Sequence, residues 1–431
     1  MTVKNYPALG ETVYRETLAS GMRVMVIPRP GITRKAAYLA VGFGSIHTAF
    51  EADGQKCSVS AGTAHYLEHK MFDMPDGTDI TQAFAGHGAS VNAFTDYDMT
   101  AYYFTGADHF EQCLELLLQF VLTPYFTEET VEKERGIIEQ EILMNLDTPE
   151  SVSFDNLNRA LYRDHPIREP ILGSCESIRG ITPETLKLCH SVFYTPSNMV
   201  LCISGDLDPE HVIRLTDEIL QRCAPIPGER PPKVVKTPMP HEEMRSVQKR
   251  IEAGLEVAMP SAELGFKAEP CSGGYEQMRQ ELTAELAAEL LFGETSELYL
   301  QLYEDGVIDP SFGGGFESID GAAMLVCSGD TEEPELLKKA VLAHAHALTE
   351  SGLGERDLLR MKRSELGRRL REMDSVDEVC TAAAACELSG CDFFEFPAVL
   401  ADIAAQEVTE LIGRCVTEER CAMSLILPVS E

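Results

Sequence analysis

The sequence predicts an α+β protein made of two homologous α/β units, each an antiparallel sheet with helices packed on it, joined by a Pro-rich linker. Three observations carry that prediction. The chain has 431 residues, of which 44% are hydrophobic and 25% charged; that is the balance of an ordinary globular protein, and the length exceeds the ~100–200 residues usual for one domain. Pro225, Pro227, Pro231, Pro232, Pro238 and Pro240 crowd the stretch Cys223 to His241, where they forbid regular structure and favour an extended connector. The segments on either side repeat one pattern: an apolar strand, an amphipathic segment and a long charged helix. The expected boundaries are therefore 1–222 for the first unit, 223–241 for the linker and 242–431 for the second unit.

Taken in order, Ser20–Ile27 and Ala36–Gly42 read as strands joined by a turn over Pro28 to Gly31. Thr100–Thr105 is an apolar strand, Phe110–Leu122 an amphipathic segment and Glu128–Asn145 a charged helix. In the second half Ala322–Ser328, Glu333–Thr349 and Glu355–Met373 repeat the series. Met199–Ser204 and Met423–Leu427 read as the closing strands of the two halves. Strands in clusters followed by runs of helices point to helices layered on sheets.

Lys and Arg number 36 against 70 Asp and Glu, a formal charge of −34. Such a surface repels phosphate backbones and anionic lipid, so nucleic acid and membrane are poor partners, and basic peptides or metal cations better ones. The amino terminus lacks the apolar run of a signal peptide, and the greasiest stretch, Leu114 to Leu122, is interrupted by Glu115 and Gln119. The 13 cysteines include no Cys-x-x-Cys and read as reduced thiols of a cytosolic protein.

His65-x-x-Glu68-His69 sets two imidazoles four residues apart, on one face of a helix and within reach of a single tetrahedral metal. Glu68 precedes the second histidine, which is the inverted zinc order. Two helical histidines can also be plain core or surface residues, and a catalytic zinc wants a third protein ligand. In the charged helix the apolar stripe is Val131, Ile137, Ile138 and Ile142, and Glu134 and Glu141 fall on it while Glu132 and Glu139 point elsewhere. A carboxylate on a buried stripe is costly unless paired or metal-bound. The alternative is that these glutamates pair with Lys133 or Arg135 in solvent. His87 sits between glycines in a turn, His109, His165 and His190 lack partners at ligand spacing, and His344 and His346 point apart on a helix. The second half is expected to be metal-free.

Together with Glu141 inside the Glu134–Glu141 run, His65-x-x-Glu68-His69 resembles the signature of the pitrilysin/insulinase (M16) metallopeptidases, which include the mitochondrial processing peptidase. Val91-Asn92-Ala93-Phe94-Thr95 ahead of Tyr102-Tyr103 resembles the family's substrate-edge strand, and Phe193-Tyr194-x-Pro196-x-Asn198-Met199 its helix-to-strand return. Within the family the chain is most similar to bacterial cytosolic zinc peptidases of about this length. The resemblance implies one Zn²⁺ per chain on His65, His69 and Glu141, Glu68 as the base that activates water, and Glu134 orienting a histidine. It also implies that Asn92, Ala93, Phe94 and Thr95 hold an extended peptide as an added strand; the plain alternative for Asn92 is a turn or capping residue. The function so implied is a zinc endopeptidase of short unfolded peptides, with a catalytically silent scaffold subunit as the rival.

One departure stands out. Many relatives carry an Arg and a Tyr in the second half that stabilise the tetrahedral intermediate, but here Glu297 stands where the Arg would be and no Tyr follows Gly306. Relatives enclose peptides in a chamber of four such units, and this chain offers two. The resemblance thus implies a dimer, preferably with a metal-free paralogue that supplies the missing pair.

Overall fold

The computed structural model describes residues 1–223, 234–271 and 273–429. Strands β1 (Thr2–Tyr6), β2 (Glu11–Thr17), β3 (Arg23–Pro28) and β4 (Lys35–Val41) are followed by the hairpin β5 (Ala49–Ala52) and β6 (Gln55–Ser58). Next come helices α1 (Thr63–Met71) and α2 (Ile80–Gly86), strands β7 (Ala89–Thr95) and β8 (Thr100–Gly106), and helices α3 (Phe110–Leu122), α4 (Glu128–Leu146), α5 (Pro149–Leu161) and α6 (Pro183–Phe193). Strand β9 (Met199–Gly205), helix α7 (Pro209–Cys223) and strands β10 (Val234–Lys236), β11 (Arg250–Leu255) and β12 (Ser261–Ala268) lead into α8 (Gly274–Phe292) and α9 (Glu297–Glu304). The remainder is β13 (Gly313–Ile319), β14 (Ala322–Asp330), α10 (Pro334–Ser351), α11 (Glu355–Met373), α12 (Val376–Ser389), α13 (Phe396–Asp402), α14 (Ala405–Cys415) and β15 (Cys421–Pro428).

The chain is α+β, and its repeat is visible in strand order. One sheet has seven strands in the order β1-β2-β3-β9-β4-β8-β7, and another has five in the order β11-β15-β12-β14-β13. Without β1 and β2 the two orders correspond strand for strand, and so do their polarities. The closing strand runs parallel to β3 in the first sheet and to β11 in the second, and every other pair is antiparallel. The sheets are thus antiparallel apart from one pair each. That pair exists because the closing strand inserts between two strands that are neighbours in sequence, so the expected strands over residues 20–42 are not paired with each other.

The compact units are not the two halves of the chain. The first comprises Met1–Ile142, Pro170–Pro238 and Leu370–Glu395; the second comprises Leu143–Glu169, Met239–Arg369 and Phe396–Glu431. Within the second unit α5 packs on β15, β12 and β11, and within the first unit α12 packs on β9 and β4. Each half therefore sends the helix that follows its long charged helix to the other sheet. Gly265 of β12 makes room for α5: a Cβ there would come within 2.8 Å of Leu161 and 3.0 Å of Leu157. Of the expected linker, residues 224–233 lie outside the described residues, whereas Val234–Lys236 pair antiparallel with β5.

In the first unit the core forms around Tyr66, Leu67 and Met71 of α1, Leu114, Leu117 and Leu118 of α3, and Leu39, Tyr102, Phe104 and Leu201 of the sheet, all buried. α4 contributes Val131, Ile138 and Ile142 to this core. Ile137, expected on the same stripe, is 49% exposed. It shares a side with Glu134 and Glu141, and that side of the helix faces the site rather than the core.

Candidate metal centre

α1 starts abruptly because its N-cap, Gly62, has φ +88°, and a Cβ there would lie 2.4 Å from the Leu172 carbonyl oxygen. Only glycine tolerates both constraints. The helix is then fixed to α4 by buried polar groups. The Tyr66 hydroxyl donates to the Val131 carbonyl. Lys70, fully buried, donates to Asp73 and, at 3.2 Å, to the Thr130 carbonyl. From α4, Arg135 donates to the carbonyls of Ile178 at 2.6 Å and Ile181 at 3.2 Å. Sequence reasoning missed these anchors; the signal was a lysine and a tyrosine on the buried side of so short a helix.

With α1 and α4 so held, His65 and His69 lie one turn apart with ring centroids 4.6 Å from each other. His65 Nε2 is 3.7 Å from Glu141 Oε1, and His69 Nε2 is 3.5 Å from Glu141 Oε2. Donor atoms of these three residues all fall within 4.8 Å of one another, and no other such group of three or more His, Cys, Asp or Glu occurs among the described residues. Two imidazole nitrogens and one carboxylate oxygen converging on one point suit zinc, which takes N and O donors tetrahedrally and in a catalytic site leaves one position free. On the far side of the His69 ring, Nδ1 lies 3.0 Å from Glu134 Oε1, the kind of contact that fixes the orientation of a ligand histidine. Glu139 is turned away and pairs with Arg179 at 3.5 Å, and Glu132 pairs with Arg135 at 3.0 Å.

The electrostatics separate the carboxylates. The His69 bond holds Glu134 below the usual carboxylate range, and the His65 contact does the same for Glu141, in each case against the effect of burial. Burial would lower the pKa of His69, but the Glu134 bond and the charges of Glu68 and Glu141 overcome it and leave it raised. Glu68, 8% exposed, is pushed upward by burial despite the opposing Thr95 bond and the nearby histidines. A carboxyl group biased toward holding a proton, beside three donors that can hold a metal, is suited to accepting and returning one.

β7 lies at the end of its sheet, so one of its edges is free among the described residues. Asn92 is exposed, and its Oδ1 accepts the Ala93 amide at 2.9 Å. Phe94 packs near Tyr103, with ring centroids 6.3 Å apart. Thr95 turns its hydroxyl to Glu68 Oε2 at 2.6 Å. Of the four residues expected to hold substrate, Thr95 thus also reaches the candidate base through its side chain. In the second unit Glu297 opens α9, whose N-cap Ser296 accepts the Tyr299 amide at 3.0 Å. No helix among the described residues is long and apolar enough to cross a membrane.

Comparison with known proteins agrees with this geometry. Residues 34–174 match the family described as insulinase (peptidase family M16), and residues 180–365 match the peptidase M16 inactive domain. A Bacillus subtilis protein named "Uncharacterized zinc protease YmfH" is 34% identical over 99% of both chains. A Mycobacterium leprae protein also named a zinc protease is 33% identical over 48% of this chain and 45% of its own. The crystal structure of a putative M16-like peptidase from Alicyclobacillus acidocaldarius superposes with a TM-score of 0.93 at 32% identity, covering 98% of this chain and 99% of that one. A Helicobacter pylori protease, at 18% identity and a TM-score of 0.82 over 96% of this chain and 99% of its own, shares the fold. By fold, site geometry and these similarities, the chain belongs to the insulinase family of peptidases, family M16.

Proposed function

We propose that this protein is a zinc-dependent endopeptidase that hydrolyses short, unfolded peptides. The observation that carries the reading is the convergence of His65, His69 and Glu141 on one point with Glu68 beside them. One Zn²⁺ per chain, held by those three residues, would supply a Lewis acid for the scissile carbonyl and make water a better nucleophile at neutral pH. Glu68 takes the proton from the attacking water and returns it to the leaving amine. Glu134 holds the His69 ring in register through Nδ1. The free edge of β7 takes the peptide as an added strand, and the backbone around Ala93 supplies hydrogen bonds that demand no particular sequence. That mode suits unfolded, cytoplasmic peptides, and the charge of −34 favours basic ones.

Glu297 in place of an arginine supports a second element of the proposal. The chain works as a dimer, preferably with a metal-free paralogue that supplies the missing Arg and Tyr. Zinc content of the purified protein and cleavage of a peptide library, with and without a candidate partner, test the reading. About one zinc per chain together with cleavage that Glu68→Gln abolishes supports it. A chain that binds no zinc and cleaves nothing in either condition is a scaffold instead.

A further inference from the structure

The motifs over residues 91–103 and 193–199 place four hydroxyl side chains near the candidate base. The contacts place the protons of the two threonines. Thr100 Oγ1 donates its only proton to the Phe43 carbonyl at 2.8 Å. Tyr102 and Tyr194, both buried, have their hydroxyls 2.7 Å apart and are served by each other. Thr100 Oγ1 lies 3.5 Å from Thr95 Oγ1, a poor acceptor at that distance. The Thr95 proton goes to Glu68 Oε2, at 2.6 Å.

Thr95 also sits on the substrate edge. The Ala93 amide is turned to Asn92 Oδ1, and residues alternate along a strand with a period of two, so the Thr95 backbone faces the same free edge as that of Ala93. One residue thus offers its backbone to an added peptide strand and its hydroxyl to the carboxylate that would act on that peptide.

We infer that Thr95 is a positioning residue: its hydroxyl fixes the Glu68 carboxylate for proton transfer, and seating a peptide on β7 stiffens that bond. This deepens the proposed peptidase reading and rests on Glu68 being its base.

The test compares zinc-loaded wild type with Thr95→Val and Thr95→Ser, by zinc content, by kcat and KM on one peptide, and by crystal structures showing the Glu68 side chain. Thr95→Val keeps the zinc and a KM within about twofold, while kcat falls ~10- to 100-fold, the usual scale for a reacting group misplaced by about an ångström. Thr95→Ser, which restores the hydroxyl, recovers kcat to within about threefold. In the crystals the Glu68 carboxylate leaves its place in the Val variant and keeps it in the Ser variant. An unchanged kcat with Val, a Ser variant as impaired as Val, or an unmoved Glu68 in the Val crystal overturns the inference. If zinc-loaded wild type cleaves no peptide, the peptidase reading fails, and the crystal structures still decide whether Thr95 places Glu68.

Discussion

In the first unit α1 turns His65 and His69 toward Glu134 and Glu141 of α4. In the second unit α8 and α11 hold the same places in the order of strands and helices, yet α8 carries Glu281, Glu285 and Glu289, and α11 answers with Glu365, Arg368 and Arg369. Both settings are acidic and partly buried, and a cavity of about 470 Å³ opens beside Glu285, Glu289, Glu365 and Arg368. Burial raises the pKa of Glu281, Glu285 and Glu289, while for Glu365 the two arginines outweigh burial and lower it. In the first unit imidazole contacts lower Glu134 and Glu141 instead. A guanidinium has no lone pair to give a metal, whereas an imidazole has one. The same framework thus makes a candidate metal centre only where its carboxylates are neutralised by donors that can also coordinate.

The sharpest way to break this contrast is to remove the nitrogen donors. His65→Ala or His69→Ala is expected to lower bound zinc from about one per chain to near zero and to abolish peptide hydrolysis, since two ligands rarely retain the ion; metal analysis after dialysis reads the outcome. If Glu281→Ala or Glu285→Ala costs as much zinc, the two units do not differ as described.

Within α4, Glu141→Gln is expected to weaken zinc binding by several orders of magnitude, Glu134→Gln by ~10–100-fold and Glu139→Gln hardly at all. Competition against a chelator of known affinity ranks them. An order with Glu139 foremost would contradict the register in which Glu139 pairs with Arg179.

The carboxylates that lack histidine neighbours leave a mark on stability. On β12, burial pushes the Glu263 pKa up to about 7, partly opposed by a Ser153 bond. A folded pKa above the ordinary 4.5 means that the native state holds the proton more tightly than the unfolded chain. The associated stability is complete below about pH 4.5 and is lost as the pH rises through 7. Glu263→Gln should therefore be more stable than wild type by about 1–3 kcal/mol at pH 8 and equal to it near pH 4. Urea melts at the two pH values measure this, and equal gains at both would show that the effect is not ionisation.

The smallest effect concerns substrate charge. At low salt a Lys/Arg-rich peptide is expected to be cut a few-fold faster than an acidic peptide of matched length, and the difference should fade as salt screens the field. A ratio of one at all salt concentrations would mean that the net charge of −34 is spread over the outer surface.

The sequence made some of this legible and hid the rest for physical reasons. The bounds of α3 and α11 were readable to the residue and that of α4 to one residue, because charge and apolar period agree there. The His65-x-x-Glu68-His69 spacing is itself a three-dimensional statement, since a helix converts four residues into one turn. Ile137 was misplaced because periodicity names a helix side without saying whether core or cleft faces it. The bond from Thr95 to Glu68 could not be read, because it depends on which strand lies beside α1. The exchange of α5 and α12 was equally hidden: Leu157 and Leu161, or Val379 and Ala383, mark an apolar side and do not specify which sheet will cover it.

That exchange bears on how the protein is made. Synthesis runs from the amino terminus, but the face formed by β4 and β9 waits for α12, whose buried Val379, Cys380 and Ala383 lie near the end of the chain. The unit that begins first on the ribosome cannot finish until most of the message has been translated. Until then its apolar sheet is open to solvent, the kind of intermediate that chaperones hold and proteases sample. A release after residue 223, however tidy in sequence, would deliver the zinc motif on a sheet missing one of its layers.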